Sequence, residues 1–591
     1  MPPRTQTSPV PLLPGQDPDQ ENRANRLELR RDNYRFVHDW PRGVATSSWL
    51  PSESDYSKDY TKDLTKSYAS IAENAVAIAA KDLLTEPAKL IKAAAGAFKR
   101  IEHETAGRDI FSRYDQMAES AFDLLKPETW QDYANIFASW EEPDIVAKIN
   151  DDATLGDAIA WQRIAGVNPT VLARCTQLPA GFAVTEAHFK QALPKDSLAM
   201  ALKEGRAFLA DYSALEGVTC GVSEGDQKYL AGPMALYVAD KEGVLRSVAV
   251  QCGSDASVYP PRTPADGWHW RMANLCVQVA DANHHEGSAH LGRTHMVMEA
   301  VTLSMKREMA PNHPLAILLE PHTETTLAIN ASAKTDLIAP GGTVDTVFAA
   351  KIRDFGDFVE SQVSTLSIRN CDPRSDLTAR GLMDTDILPV HPYRDDVLPV
   401  WDAIETYVEE YVGLYYSDDA AVQGDVELQG FVAALSAVDG GRLHDVPEVT
   451  TVAEASALIA RLVFTGSAQH SSVNFPQFRF MSYSPNMAGA LFAPVPDVDT
   501  PNTEEEFYKL LPPSIIFAKG ANMVYLLSDM QETTLGDYEE GHFSDPRLPP
   551  IIARFRANLR GVEAGCMARD AKRYLPYPYL HPSNILQSIS I

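Results

Sequence analysis

Two histidines five residues apart, His290 and His295, and a second pair four apart, His470 and Asn474, are the groups whose types and spacing bear most directly on chemistry in this 591-residue chain. A five-residue offset in a regular α-helix is a rotation of about 140°, so the two rings diverge. They converge where the helix widens to i→i+5 bonding, a rare winding concentrated at functional sites. Alone, the spacing is weak evidence for a metal pair. His470 and Asn474 share one helix face. A ring nitrogen and an amide oxygen there could reach one ion, although a buried histidine with an asparagine partner is the commoner arrangement. The chain ends Leu586-Gln-Ser-Ile-Ser-Ile591, apolar after Tyr574-Leu-Pro-Tyr-Pro-Tyr-Leu-His-Pro582. Such a terminus could tuck its carboxylate inside, where it needs a cation. Three imidazoles, one amide and one carboxylate make a donor set without thiolate, suited to iron or manganese rather than structural zinc. An ion so held keeps positive charge and acidifies bound water.

These groups need long helices to position them. One is predicted over residues 283–309, stopping before Pro311. A second begins with the capping box Thr451-Val-Ala-Glu454 and runs to about Asn474, before Pro476. A hairpin signal interrupts the helical pattern: residues 235–239, the turn Asp240-Lys-Glu-Gly243, then residues 244–251. The expected fold is mainly α, with one small β element.

Three regions are expected. Residues 1–40 read as a disordered or extended Pro-rich tail. Residues 41–150 read as a helical extension, whose Ala-rich stretch 67–104 is interrupted at Pro87. That extension is expected as a helical pair packed on the larger body, with a movable lid or lipid-facing surface as the alternative. Residues 151–591 form the catalytic domain. A net charge of −28 argues against nucleic acid and against electrostatic docking on anionic membranes. Apolar membrane contact stays open. The six cysteines are dispersed without a CxxC pair, which points to reduced, mostly buried thiols. With neither a secretory signal nor an apolar span in view, a cytoplasmic monomer is expected.

The stretch His290-Leu-Gly-Arg-Thr-His-Met-Val-Met-Glu299, followed by Asn312-His-Pro314, Pro321-His322 and Ala328-Ile-Asn330, resembles the central signature of lipoxygenases. So do Gln469-His-Ser-Ser-Val-Asn-Phe475 and the terminal Ile591. Ala165-Gly-Val-Asn-Pro169, residues 401–416 and Asp537-Tyr-Glu-Glu-Gly-His-Phe-Ser-Asp-Pro546 extend the likeness over about residues 150–591. The resemblance implies a large helical catalytic domain and one non-haem iron, or manganese, held by His290, His295, His470, Asn474 and the Ile591 carboxylate. It implies that a metal-bound hydroxide, not a side chain, acts as base. His285 and Glu286 match the segment that orients the first ligand. His313 and His322 read as satisfied structural histidines. Plant and animal members begin with a β-barrel, whereas residues 1–150 here lack strand alternation, as in some bacterial members. A microbial origin is therefore expected.

The implied reaction is dioxygenation of a polyunsaturated fatty acid to a hydroperoxide. Ala333 matches the position where alanine accompanies S products and glycine R products. Val347 and Phe348 match depth-setting positions, with Phe348 favouring the ω-6 carbon. Leu337 would clamp the pentadiene. Plain apolar core is the alternative for all four. Met487 stands where plant enzymes place an arginine, which points to tail-first substrate entry. The rivals are a hydroperoxide isomerase or a manganese enzyme on the same scaffold, and a non-catalytic lipid-binding protein.

Overall fold

Continuous burial marks the axis of the computed structural model, which describes residues 10–56, 58–82, 127–253, 257–261, 267–529 and 533–591. One uninterrupted run of helix comprises Gly267–His284, a π-wound segment His285–Met296, and Val297–Glu308. Nearly every residue from Trp270 to Met305 is buried. A helix buried all round must lie inside the fold. The run starts earlier than the sequence pattern predicts and ends, as expected, before Pro311.

The second long helix has the expected capping box. Glu454 N donates to Thr451 Oγ1 at 3.2 Å, and Thr451 N to Glu454 Oε2 at 3.0 Å. It continues as Val452–Phe464, a π segment Thr465–Gln469 that sequence reasoning did not foresee, and His470–Asn474. Helix Pro392–Val412 packs along it, with Pro549–Asp570 behind. Helix Ile352–Val363 lies against the first π segment. A Cβ at Gly287 would sit 2.7 Å from the Phe358 ring, so only glycine allows this approach.

The hairpin forms as Met234–Ala239 and Leu245–Gln251, within a five-stranded antiparallel sheet. The sheet order is Ala173–Arg174, Ala207–Asp211, Met234–Ala239, Leu245–Gln251, Val258–Tyr259. At its turn, Gly243 has φ +79° and Asp240 Oδ1 accepts from Glu242 N and Val244 N.

Part of the expected tail is a docked helix instead. Gln20–Asn33 is N-capped by Asp19. Arg23 is buried and pairs with Glu427, Nε to Oε1 at 2.5 Å and Nη2 to Oε2 at 2.8 Å. The segment is polar almost throughout, so its anchor is a carboxylate 404 residues away, which no local pattern reveals. Helix Lys58–Asp82 buries Leu64, Ile71 and Ile78 and packs on helix Ser514–Asp529. The expected continuation past Pro87 lies outside the described residues. Among the described residues before position 150, strands are limited to the pair Phe36–Val37 and Thr46–Ser47. All six cysteines are free, four of them buried.

Candidate metal centre

The π winding brings the first two histidines together. His290 Nε2 and His295 Nε2 are 3.2 Å apart, with ring centroids 4.8 Å apart. The His470 ring, from the second helix, lies 5.4 Å from His290 and 5.1 Å from His295. One ligand atom from each of the three lies within 4.8 Å of the others, and all three are buried.

Hydrogen bonds orient the first two rings. Asn330 Nδ2 donates to the His295 carbonyl at 3.1 Å and to Glu299 Oε2 at 2.8 Å, so its oxygen is the acceptor. His295 Nδ1 then donates to Asn330 Oδ1 at 2.9 Å, leaving the Nε2 lone pair pointing inward. Glu299 closes the chain by accepting from Ser47 N at 2.6 Å. His290 Nδ1 faces Glu286 Oε2 at 3.5 Å. His285 Nε2 meets the Val473 carbonyl at 2.8 Å and ties the two ligand helices together.

Burial holds these imidazoles neutral. Desolvation lowers His290 and His295 to about 3 and His285 to about 4, and carries His470 well below the ordinary range. Desolvation also raises Glu286, and raises Glu299 to about 7. Neutral rings are the ligand form. Two inward lone pairs 3.2 Å apart repel unless a cation lies between them. Neither His470 nitrogen meets a side-chain partner among the described residues, although the ring is fully buried; its polar neighbour is the backbone of the C-terminal Ile591. An orphaned buried imidazole is costly, and a metal would satisfy it. The residues present therefore fit a metal ion.

Asn474, one turn past His470, is buried. Its Oδ1 accepts from Gln477 at 2.9 Å and its Nδ2 donates to the Leu527 carbonyl at 2.6 Å. The C-terminus is tucked inward: Leu586 N donates to Ser471 Oγ, Thr325 Oγ1 to the Ile589 carbonyl, and Ile591 is 4% exposed. Ile591 lines the same cavity as His290 and His295. His313 and His322 are satisfied as expected. His313 contacts Asp425 and Leu315 N, and His322 contacts the Gln587 carbonyl and Tyr538.

The four expected pocket residues fall into two groups. Ala333 and Leu337 line the metal-side cavity, a narrow cleft whose surface is mainly apolar. Val347 and Phe348 line a second cavity of about 360 Å³, together with Met487. Sequence reasoning missed Tyr56, Tyr60 and Leu64, which form a wall of the metal-side cavity from the N-terminal segment. It also missed the roles of Asn330 and Glu299, although both stand inside the quoted signature.

Comparison with known proteins agrees with this geometry. The lipoxygenase family model matches residues 22–576, reaching further toward the N-terminus than the motifs do. The linoleate 9/13-lipoxygenase of Pseudomonas aeruginosa is 35% identical over 544 residues, covering 86% of this chain and 78% of that protein. The human hydroperoxide isomerase ALOXE3 is 32% identical, over 73% of this chain and 61% of its own length. The crystal structure of coral 8R-lipoxygenase superposes with a TM-score of 0.84 at 25% identity, covering 98% of this chain and 83% of that one. The chain belongs to the lipoxygenase family of dioxygenases.

Proposed function

We propose that this chain is a non-haem iron lipoxygenase that converts polyunsaturated fatty acids with a 1,4-pentadiene, such as linoleate, to hydroperoxides of S configuration at the ω-6 carbon. In this reading His290, His295, His470, Asn474 and the Ile591 carboxylate hold the iron. The observation that carries it is the convergence of three neutral, buried imidazoles on one point at the edge of an apolar cavity. Iron, when bound, supplies the one-electron redox chemistry that removes a hydrogen atom from the CH2 between two cis double bonds. Manganese is the alternative ion.

The residues of the chain do the rest. Asn330 and Glu286 hold two ligand rings in their productive tautomers. Leu337 presses the pentadiene toward the histidines, and the apolar walls keep it still while O2 adds. The Ala333 methyl shields one radical terminus, so O2 adds at the other. Phe348 and Val347 limit how deep the methyl end reaches. Met487, buried in the same cavity, offers no cation for a carboxylate, which favours tail-first entry. A further role proposed for the N-terminal helix, beyond the cavity wall formed by Tyr60 and Leu64, is peripheral contact with the membrane that supplies the substrate. Residues 151–591 carry the proposed metal-holding groups, the N-terminal segment adds a wall of the cavity, and the working form is a monomer.

A second reading, hydroperoxide isomerase, is favoured by the relative with that activity. The two separate in one cuvette. Iron-loaded protein with linoleate should consume O2 and gain conjugated-diene absorbance in parallel. Conversion of a fatty acid hydroperoxide without O2, with no uptake on linoleate, would overturn the dioxygenase reading.

A further inference from the structure

Arg293 lies two residues before His295 and three after His290, within the same π segment. It does not line the metal-side cavity. Instead it lines a separate, open surface groove with Ser367, Asn370, Arg374, Ser375 and Asp376. Its Nε is buried without a partner, and no carboxylate forms an ion pair with it among the described residues. Acidic residues outnumber basic ones 80 to 52 in this chain, so an unpaired guanidinium is not explained by a shortage of carboxylates. The carboxylate that acts on Arg293 is Asp376, which is already paired with Arg380, so this largely buried cation is poorly compensated.

The neighbours narrow the ligand. Asp376 is engaged by Arg380, which neutralises the one carboxylate lining the cleft. Arg374 contributes a second guanidinium. It pairs with Asp402 through Nη2 at 2.5 Å, and both partners are about half exposed, so its other N–H groups remain available. The side-chain hydroxyls of Ser367 and Ser375 already donate to Asp445 and Asp372. The free donors are therefore two planar guanidinium forks, a pattern that matches the oxygens of a dianionic phosphate.

We infer that the Arg293–Arg374 cleft is a binding site for a phosphate monoester, on the flank of the helix away from the metal side. Bound there, the ester compensates Arg293 on the flank of the π segment that carries His290 and His295, independently of the metal side. The phosphoryl group could belong to a soluble metabolite or to a lipid headgroup.

Calorimetry on the iron-loaded protein tests this, with inorganic phosphate, glycerol 3-phosphate and vesicles containing phosphatidic acid as probes. The expected result is saturable binding of a monoester at millimolar affinity or better, tighter than inorganic phosphate. Arg293→Gln and Arg374→Gln should each weaken it about tenfold or more. Arg374→Gln keeps the test open should Arg293→Gln disturb the helix. Binding of glycerol 3-phosphate identifies a soluble ester, and binding of the vesicles alone identifies a headgroup. Binding must also persist in His470→Ala protein. Three results would overturn the site: no saturable binding of any probe, equal binding to wild type and Arg374→Gln, or binding that disappears with the metal.

Discussion

The two ligand helices both carry π winding, but they use it differently. In the first, the π segment His285–Met296 contains both histidines and is what makes an i+5 pair converge. In the second, the π turn Thr465–Gln469 precedes the candidate groups, and His470 and Asn474 sit in ordinary α geometry at i+4. The rings also differ in support. His295 and His290 are turned by Asn330 and Glu286, whereas His470 meets no side-chain partner and faces the backbone of Ile591. One helix thus presents two rings oriented by side chains, and the other presents a ring left with the chain terminus and, in the proposed reading, an ion.

The largest expected effect follows from that contrast. His470→Ala should abolish both iron retention and O2 uptake while leaving the helical circular dichroism intact. Retained iron in that variant would break the comparison. Next, Asn330→Ala removes the acceptor that sets the His295 tautomer, and should cost roughly 10–100-fold in metal affinity or activity. Chelator-driven iron release, compared with wild type, measures it, and an unchanged rate would mean that the orientation of His295 is set elsewhere.

Pocket changes come third. Ala333→Gly should raise the share of R product, and Phe348→Ala should move oxygenation away from ω-6, each changing product ratios by about tenfold or more. Chiral chromatography reads both. An unchanged profile in Phe348→Ala would show that the second cavity does not receive the chain.

The smallest effect concerns Glu299, raised from 4.5 to about 7 by burial. A raised carboxyl binds its proton more tightly in the folded state than in the unfolded state. Its contribution is therefore full below about pH 4.5 and lost as pH rises through 7. The loss across this window is on the order of 3 kcal/mol. Glu299→Gln should flatten that part of the stability–pH curve in denaturant titrations. An unaltered slope would remove Glu299 as its cause.

Legibility in the sequence followed the range of the interactions. The i+5 spacing announced the first π segment, and Thr451 with Glu454 announced a helix start, because both depend on residues within one or two turns. Asp240 to Gly243 marked the hairpin for the same reason. Helix Gln20–Asn33 was hidden because its anchor, Arg23 with Glu427, is remote and its surface is polar. The Asn330–Glu299–Ser47 chain was hidden although two of its members lie in recognisable motifs, since no spacing rule connects residue 47 to residue 299. The division of Ala333 and Leu337 from Val347 and Phe348 into two cavities depends on how helix Ser514–Asp529 packs, with Leu527 lining the first and Val524 the second.

The most direct test of the metal centre is a titration of metal-free protein with ferrous iron under anaerobic conditions, followed by calorimetry. One saturable site per chain in the wild type, absent in His470→Ala, is the predicted result. Absence of a saturable site, or a site that survives the loss of His470 unchanged, would contradict the assignment of these three histidines to iron.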